Sequence, residues 1–189
     1  TPHVHETVFS PDEKYLLTPD LGLDGVITYQ FDAAIEQPLI MTTQTFTPSP
    51  KGTGPRHITF SKDKKFAYLI HEMGGNVTTY SYNNGHLKQI QDLPTFQKDF
   101  KGKKDGAEIM ISPDGNFLYA SDRGDLNLIA IFSIDKASGK LKFKGTQSTY
   151  GMHPRNFIID PTGNYLLAAN QDSENIVIFK INKQTGFLI

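Results

Sequence analysis

Ile111-Ser112-Pro113-Asp114-Gly115-Asn116-Phe117 decides how this chain is read, because the same frame occurs in four places. It returns as Phe9-Ser10-Pro11-Asp12-Glu13-Lys14-Tyr15, as Phe60-Ser61-Lys62-Asp63-Lys64-Lys65-Phe66 and as Ile159-Asp160-Pro161-Thr162-Gly163-Asn164-Tyr165. An apolar residue enters, a run of small, polar and turn-forming residues follows, and an aromatic leaves, which is the chemistry of a tight turn between two strands. The closing aromatics Tyr15, Phe66, Phe117 and Tyr165 stand 51, 51 and 48 residues apart. A period of this size marks a repeat architecture, in which each unit buries its apolar face only against its neighbours.

Inside the second repeat, runs rich in β-branched and aromatic residues cover His57 to Phe60, Phe66 to Ile70, Val77 to Tyr82 and Leu87 to Leu93. Asp63-Lys64, Gly74-Gly75 and Asn83-Asn84-Gly85 separate them, and these are turn formers. Four strands in a unit of this length make a propeller blade. The expected class is all-β, a β-propeller of four consecutive four-stranded blades, at about 3–53, 54–104, 105–152 and 153–189. A β-sandwich with regular strand spacing is the competing architecture. Thr95 to Lys104, with four lysines, breaks the pattern and reads as a solvated insertion between the second and third blades.

With 189 residues the chain is long enough to bury a core. Its 19 basic and 20 acidic residues give a net charge of −1, so nothing in the total points to nucleic acid or a membrane surface. The absence of cysteine excludes disulfides, thiolate metal sites and a thiol nucleophile. No apolar run reaches bilayer length, and the amino terminus lacks the layout of a secretory signal. The expectation is a soluble, cytoplasmic protein.

All three arginines fall at strand ends. Four residues before each turn-opening apolar residue stand His5, Arg56, Ala107 and Arg155, and six after each closing aromatic stand Leu21, Glu72, Arg123 and Gln171. The strands on either side of a tight turn are antiparallel, so both sets lie at the same end of the blade. In propellers the first strand of the unit lines the central channel. His5, Arg56, Glu72, Arg123 and Arg155 are therefore expected at one mouth of that channel. The Pro-Arg step of Gly54-Pro55-Arg56-His57 recurs in His153-Pro154-Arg155-Asn156. Proline fixes the approach and arginine offers a planar fork for phosphate or carboxylate.

The alternative is that each arginine ties a neighbouring blade through a carboxylate, and that Glu72 is an ion-pair strut rather than a base. The arginines should keep Glu72 ionised and hold His5 neutral. Glu108, beside Ala107, is a weaker candidate. His3 and His5 form a His-x-His pair without further ligands at a recognisable spacing, so no metal is expected. The Ser-Pro-Asp residues recur on the hairpin opposite the mouth and are turn formers, not a nucleophile with its acid. No nucleophile elbow, phosphate-binding glycine loop or dinucleotide fingerprint occurs.

These residues resemble the lactonase seven-bladed β-propellers, a family that includes one type of 6-phosphogluconolactonase and the fungal carboxymuconate lactonizing enzyme. The resemblance rests on His3-Val4-His5, Asp20-Leu21-Gly22, Gly54-Pro55-Arg56-His57, Glu72, Ala107-Glu108-Ile109, Ser121-Asp122-Arg123-Gly124 and Pro154-Arg155 through Asn170-Gln171. It implies catalytic roles for His5, Arg56, Glu72 and Arg123, with Arg155, His57, His3 and Glu108 as substrate contacts. Asp122 is expected to neutralise part of the charge of Arg123. A complete member has seven blades in nearly twice this length, so the chain is expected to be the middle-to-late part of one. It should then associate with the missing blades or with another copy.

The implied activity is hydrolysis of an anionic sugar lactone, foremost 6-phosphogluconolactone, without a cofactor. Lactone formation or opening on an unsaturated dicarboxylate is the second enzymatic reading, and a propeller binding scaffold is the third.

Overall fold

The computed structural model describes residues 1–97 and 99–189, without the side chains of 42–44. Lys98, which lies in the lysine-bearing insertion, falls outside the described residues. Four antiparallel sheets follow one another along the chain. The first contains β1 (Val8–Phe9), β2 (Tyr15–Asp20), β3 (Gly25–Phe31) and β4 (Leu39–Pro48), and the second β5 (Pro55–Phe60), β6 (Phe66–His71), β7 (Asn76–Asn83) and β8 (His86–Pro94). The third contains β9 (Gly106–Ile111), β10 (Phe117–Asp122), β11 (Leu128–Ile134) and β12 (Leu141–Ser148), and the fourth β13 (Pro154–Ile159), β14 (Tyr165–Asn170) and β15 (Asn175–Lys180). Strands neighbour one another in chain order within every sheet, the meander of a propeller blade.

The fourth sheet departs from the expected four strands. It has three, with an isolated bridge between Ile181 and Leu188 beyond them. The turn at Asn182 to Gly186 leaves Ile189 to exchange two backbone hydrogen bonds with Lys180, too short a pairing to extend the ladder. The insertion after β8 is irregular as expected, although Thr95 is buried and anchored to the carbonyl oxygen of Gly75.

The repeated turns show why their sequence recurs. Ser10, Ser61 and Ser112 each donate from Oγ to the aspartate two residues on, at 2.5, 2.6 and 2.6 Å. The same hydroxyls accept the backbone N–H of Tyr15, Phe66 and Phe117. In the fourth sheet Asp160 replaces the serine and takes the N–H of Tyr165 directly at 2.6 Å. These residues are consumed by the turns, at the end of the sheets away from the arginines.

Apolar packing lies between the sheets. Leu17, Ile58, Leu69 and Tyr80 join the first to the second, Tyr68, Ile70, Leu118 and Phe132 the second to the third, and Tyr119, Ile131, Phe157 and Leu166 the third to the fourth. Tyr68 and Tyr119, at equivalent positions, reach across their seams to the carbonyl oxygens of Gly139 and Gly186 at 3.0 and 2.8 Å. Both faces of β6 and β10 are buried throughout, whereas β14 alternates between covered and uncovered residues. On the uncovered face of the fourth sheet stand Ile158, Tyr165, Ile176 and Ile178.

A register shift recurs in all four sheets just below the expected mouth. Pro55 faces His71 but His57 faces Ile70, and Pro154 faces Asn170 but Asn156 faces Ala169. The equivalent slip falls between the pairs Gly106/Asp122 and Ile109/Ala120, and between the Val4/Asp20 bridge and the Val8/Leu17 pair. Arg56 and Arg155 are thus the extra residues of β-bulges, which interrupt strict alternation and re-aim side chains. In the first sheet β1 keeps only Val8–Phe9, and His3 and His5 lie outside it.

Candidate active site

Because the bulge relaxes the alternation of the strand, Arg56 and the next residue, His57, both reach one cleft. This cleft, of about 760 Å³, is also lined by His5, Arg155, Asn156 and residues near the end of β14, including Asn170 and Gln171. Elements of the first, second and fourth sheets therefore meet there, while Ala107, the third equivalent position, is not part of the lining.

Arg56 is 2% exposed and heavily engaged. Its Nε donates to Glu72 Oε2 at 2.9 Å, and its Nη1 donates to the carbonyl oxygen of Ala107, in the next sheet, at 2.6 Å. The same Glu72 oxygen lies 2.9 Å from Arg123 Nη2. Arg123 Nε lies 2.9 Å from Asp105 Oδ1, an ion-pair distance, although its N–H does not point at that oxygen. Arg123 Nη1 approaches His153 Nε2 at 3.3 Å. Arg123 and Glu72 stand behind Arg56 and do not line the cleft.

The charge balance differs from the expectation in one respect. Asp122 does not neutralise Arg123: it accepts the backbone N–H of Gly124 at 3.0 Å and that of Asp105 at 3.3 Å, so its carboxylate is spent on the turn. Burial pushes its carboxyl up from the ordinary value. Asp105 and Glu72 meet Arg123 instead. Glu72, shared by two guanidinium groups, has the surroundings of a strut.

Arg155 contrasts with both. It is exposed, lines the cleft and forms no ion pair among the described residues. Beside it His5 is pushed down to about 4, first by burial and then by the fields of Arg56, His57, Arg155 and Arg123. The ring is consequently neutral at physiological pH.

His3 is placed elsewhere than expected. Its backbone N–H bonds Asp20 and its exposed ring lies 3.1 Å from the carbonyl oxygen of Thr1, outside the lining of the cleft. Among the described residues no group of three or more histidines or carboxylates is placed to hold a metal ion.

A second column of polar side chains holds His57 and Glu108, expected as substrate contacts, together with Glu6 and Asn156, which were not. Glu6, His57, Glu108 and Asn156 occupy the position one residue beyond His5, Arg56, Ala107 and Arg155 in successive repeats. His57 Nδ1 lies 3.1 Å from Glu108 Oε1, and Asn156 Nδ2 donates to Glu108 Oε2. Glu6 accepts the N–H of Ile58 at 2.7 Å, and burial pushes its carboxyl up. The signal was present: this column is polar in every repeat, and Glu6 and Asn156 were passed over because the neighbouring column holds the arginines.

A family model described as lactonase, seven-bladed β-propeller, matches residues 1–189. The chain belongs to this family. A 6-phosphogluconolactonase of Formosa agariphila is 43% identical over 189 residues, 100% of this chain and 53% of the relative. One of Bacillus subtilis is 36% identical over 190 residues, 99% of this chain and 52% of the relative. The structure of a periplasmic gluconolactonase of Pseudomonas aeruginosa superposes with a TM-score of 0.96 at 40% identity, covering 99% of this chain and 52% of that one. The chain thus spans about half the length of these relatives. Among the described residues no helix is long and apolar enough to cross a membrane.

Proposed function

We propose that this chain carries the substrate cleft of a lactone hydrolase acting on an anionic sugar lactone, foremost 6-phosphogluconolactone. The observation that carries the proposal is that Arg155 lines the same cleft as His5, His57 and Arg56 and forms no ion pair among the described residues. A free fork at a solvent-open cleft suits a phosphate, which it holds through two parallel N–H···O bonds. Hydrolysis needs a water made nucleophilic, an oxyanion stabilised at the former carbonyl, and a proton returned to the ring oxygen as the ester bond breaks. Arg56, held by Glu72 and by the carbonyl oxygen of Ala107, is the preorganised cation for the oxyanion. In this assignment Glu72 and Arg123 act through Arg56 rather than on substrate.

Of the other readings, lactonization of an unsaturated dicarboxylate calls for a second carboxylate grip, and Arg56 and Arg123 are already committed to Glu72 and Asp105. The names of the relatives also favour the phosphorylated sugar lactone. A phosphorylated sugar does not diffuse across a membrane, so a cytoplasmic setting and a place in the pentose phosphate pathway are part of the proposal. Turnover of 6-phosphogluconolactone by the propeller that contains this chain is the test. Hydrolysis of that lactone in preference to an unphosphorylated or dicarboxylate lactone supports the proposal, and binding without turnover returns the fold to the role of a scaffold.

The apolar face carrying Ile158, Tyr165, Ile176 and Ile178 leads us to propose also that the isolated chain associates with the remaining blades or with another copy of itself. A strictly monomeric chain in sedimentation would overturn this.

A further inference from the structure

Glu72 is shared by two arginines and His5 is desolvated, which leaves the movement of protons in the cleft without an obvious agent. His57 has the required placement. Its ring borders the cleft, and its centroid lies 5.0 Å from that of His5. Nδ1 points at Glu108 Oε1, 3.1 Å away, and that carboxylate is fixed on both sides. Oε1 also accepts the backbone N–H of Ile109 at 3.0 Å, and Oε2 accepts the side-chain amide of Asn156. A carboxylate with both oxygens held by donors selects the tautomer with the proton on Nδ1, leaving the Nε2 lone pair for substrate or water. Arg56 Nη1 lies 3.1 Å from Nε2 and 3.4 Å from Nδ1. Such near-equal separations place the guanidinium nitrogen over the ring, not in line with either lone pair.

We propose that His57 is the general base and acid of the cleft, and that Glu108, anchored by Ile109 and Asn156, is the residue that positions it. The proposal rests on the lactonase reading for its substrate and on geometry for the pair. Nε2 takes a proton from the attacking water as the oxygen bonds to the lactone carbonyl carbon. The imidazolium then returns that proton to the ring oxygen as the carbon–oxygen bond breaks, so no external acid is consumed. Glu108 stabilises the imidazolium between the two steps without itself being protonated, as carboxylates do in His–carboxylate pairs. The charged and titratable groups facing His57 are Glu6 from the segment before β1, His5 beside it, Arg56 on its own strand and Glu108 on β9. The recurrence of a polar residue at this position in four repeats is what sets the carboxylate of one blade against the imidazole of the next.

The test has two arms, both on the propeller that contains this chain. In the first, nitrogen-15 NMR of labelled histidine reads the tautomer of His57. The expectation is a proton on Nδ1 in the parent protein, retained in Glu108→Gln, which keeps an acceptor, and lost or mixed in Glu108→Ala. In the second, steady-state hydrolysis should show kcat falling about tenfold or more in Glu108→Ala, with KM changed less than about twofold. Glu108→Gln should fall between parent and alanine, and the acid limb of its pH profile should move. His57→Gln should lose about a hundredfold or more in kcat. A proton on Nε2 in the parent protein, or an unchanged kcat and pH profile in Glu108→Ala, overturns the pair. An expected tautomer response in a propeller with no lactonase turnover would leave the pair standing and remove the lactonase reading instead.

Discussion

Arg56 and Arg155 occupy the same position of two repeats, follow the same proline and sit on the same kind of bulge, yet their surroundings are opposite. Arg56 is buried and tied to Glu72 and Ala107, while Arg155 is exposed and forms no ion pair among the described residues. Two things separate them in this chain: the residue six beyond the closing aromatic, Glu72 in the second repeat and Gln171 in the fourth, and the following sheet, which gives Arg56 the carbonyl oxygen of Ala107 and has no counterpart after the fourth sheet. A carboxylate there captures the arginine of its own sheet, and a neutral amide leaves it free. Equivalent positions in a repeat protein thus share a place and a backbone but not an electrostatic role.

The largest consequence concerns Glu72. Glu72→Ala leaves buried Arg56 without a carboxylate partner and Arg123 with Asp105 alone, at a cost of about 3 kcal/mol in stability, readable as a fall in urea midpoint or Tm. A cost near zero would mean that solvent takes over the pairing and that Arg56 is not rigidly held. Next in size is Arg56→Lys, which keeps the charge but loses the fork that spans Glu72 and the carbonyl oxygen of Ala107. Turnover by the propeller should fall by one to two orders of magnitude, about 1.4–2.7 kcal/mol of transition-state stabilisation. Lys101→Ala, in the exposed insertion, should leave it unchanged. Equal tolerance of both substitutions would break the contrast between a preorganised arginine and an ordinary surface cation.

A smaller effect lies in the pH dependence of stability. His5 and His71 are both pushed down to about 4, chiefly by burial, from an ordinary value of 6.5. Between about pH 6.5 and 4 the unfolded chain therefore binds more protons than the folded one, and stability falls as pH falls through that window. Glu6, raised from 4.5, acts in the opposite sense and costs stability as pH rises above that value. His71 lies away from the cleft, with Nε2 2.8 Å from Thr78 Oγ1. His71→Asn should make the acid limb shallower in urea unfolding compared at pH 7 and pH 5. An unchanged slope would remove His71 from the balance.

Much of this was legible in the sequence. The period of the turns located the sheets, and the four runs of the second repeat became β5 to β8 with ends within a residue or two. Placing Arg56 with Glu72 followed from antiparallel pairing, and bringing Arg123 beside them from the shared channel mouth of neighbouring blades. What the sequence did not yield depends on contacts between sheets. The hold of Ala107 on Arg56 and the pairing of His57 with Glu108 need the neighbouring blade, while the capture of Arg123 by Asp105 instead of Asp122 is set within the third sheet by side-chain direction, which spacing does not give. His3 lies outside the lining of the cleft, its ring beside the carbonyl oxygen of Thr1, a placement that the His-x-His spacing does not give. Glu6 and Asn156 were hidden by strict two-residue alternation, which a bulge suspends.

The central claim, that Arg155 is the free cation of an anion-binding cleft while Arg56 is already satisfied, is tested most directly by calorimetric titration of 6-phosphogluconate into the parent propeller and into Arg155→Gln. The account predicts at least about tenfold weaker binding in Arg155→Gln, with a stability within about 0.5 kcal/mol of the parent because an exposed, unpaired side chain has been changed. Equal affinity for the two proteins would contradict it.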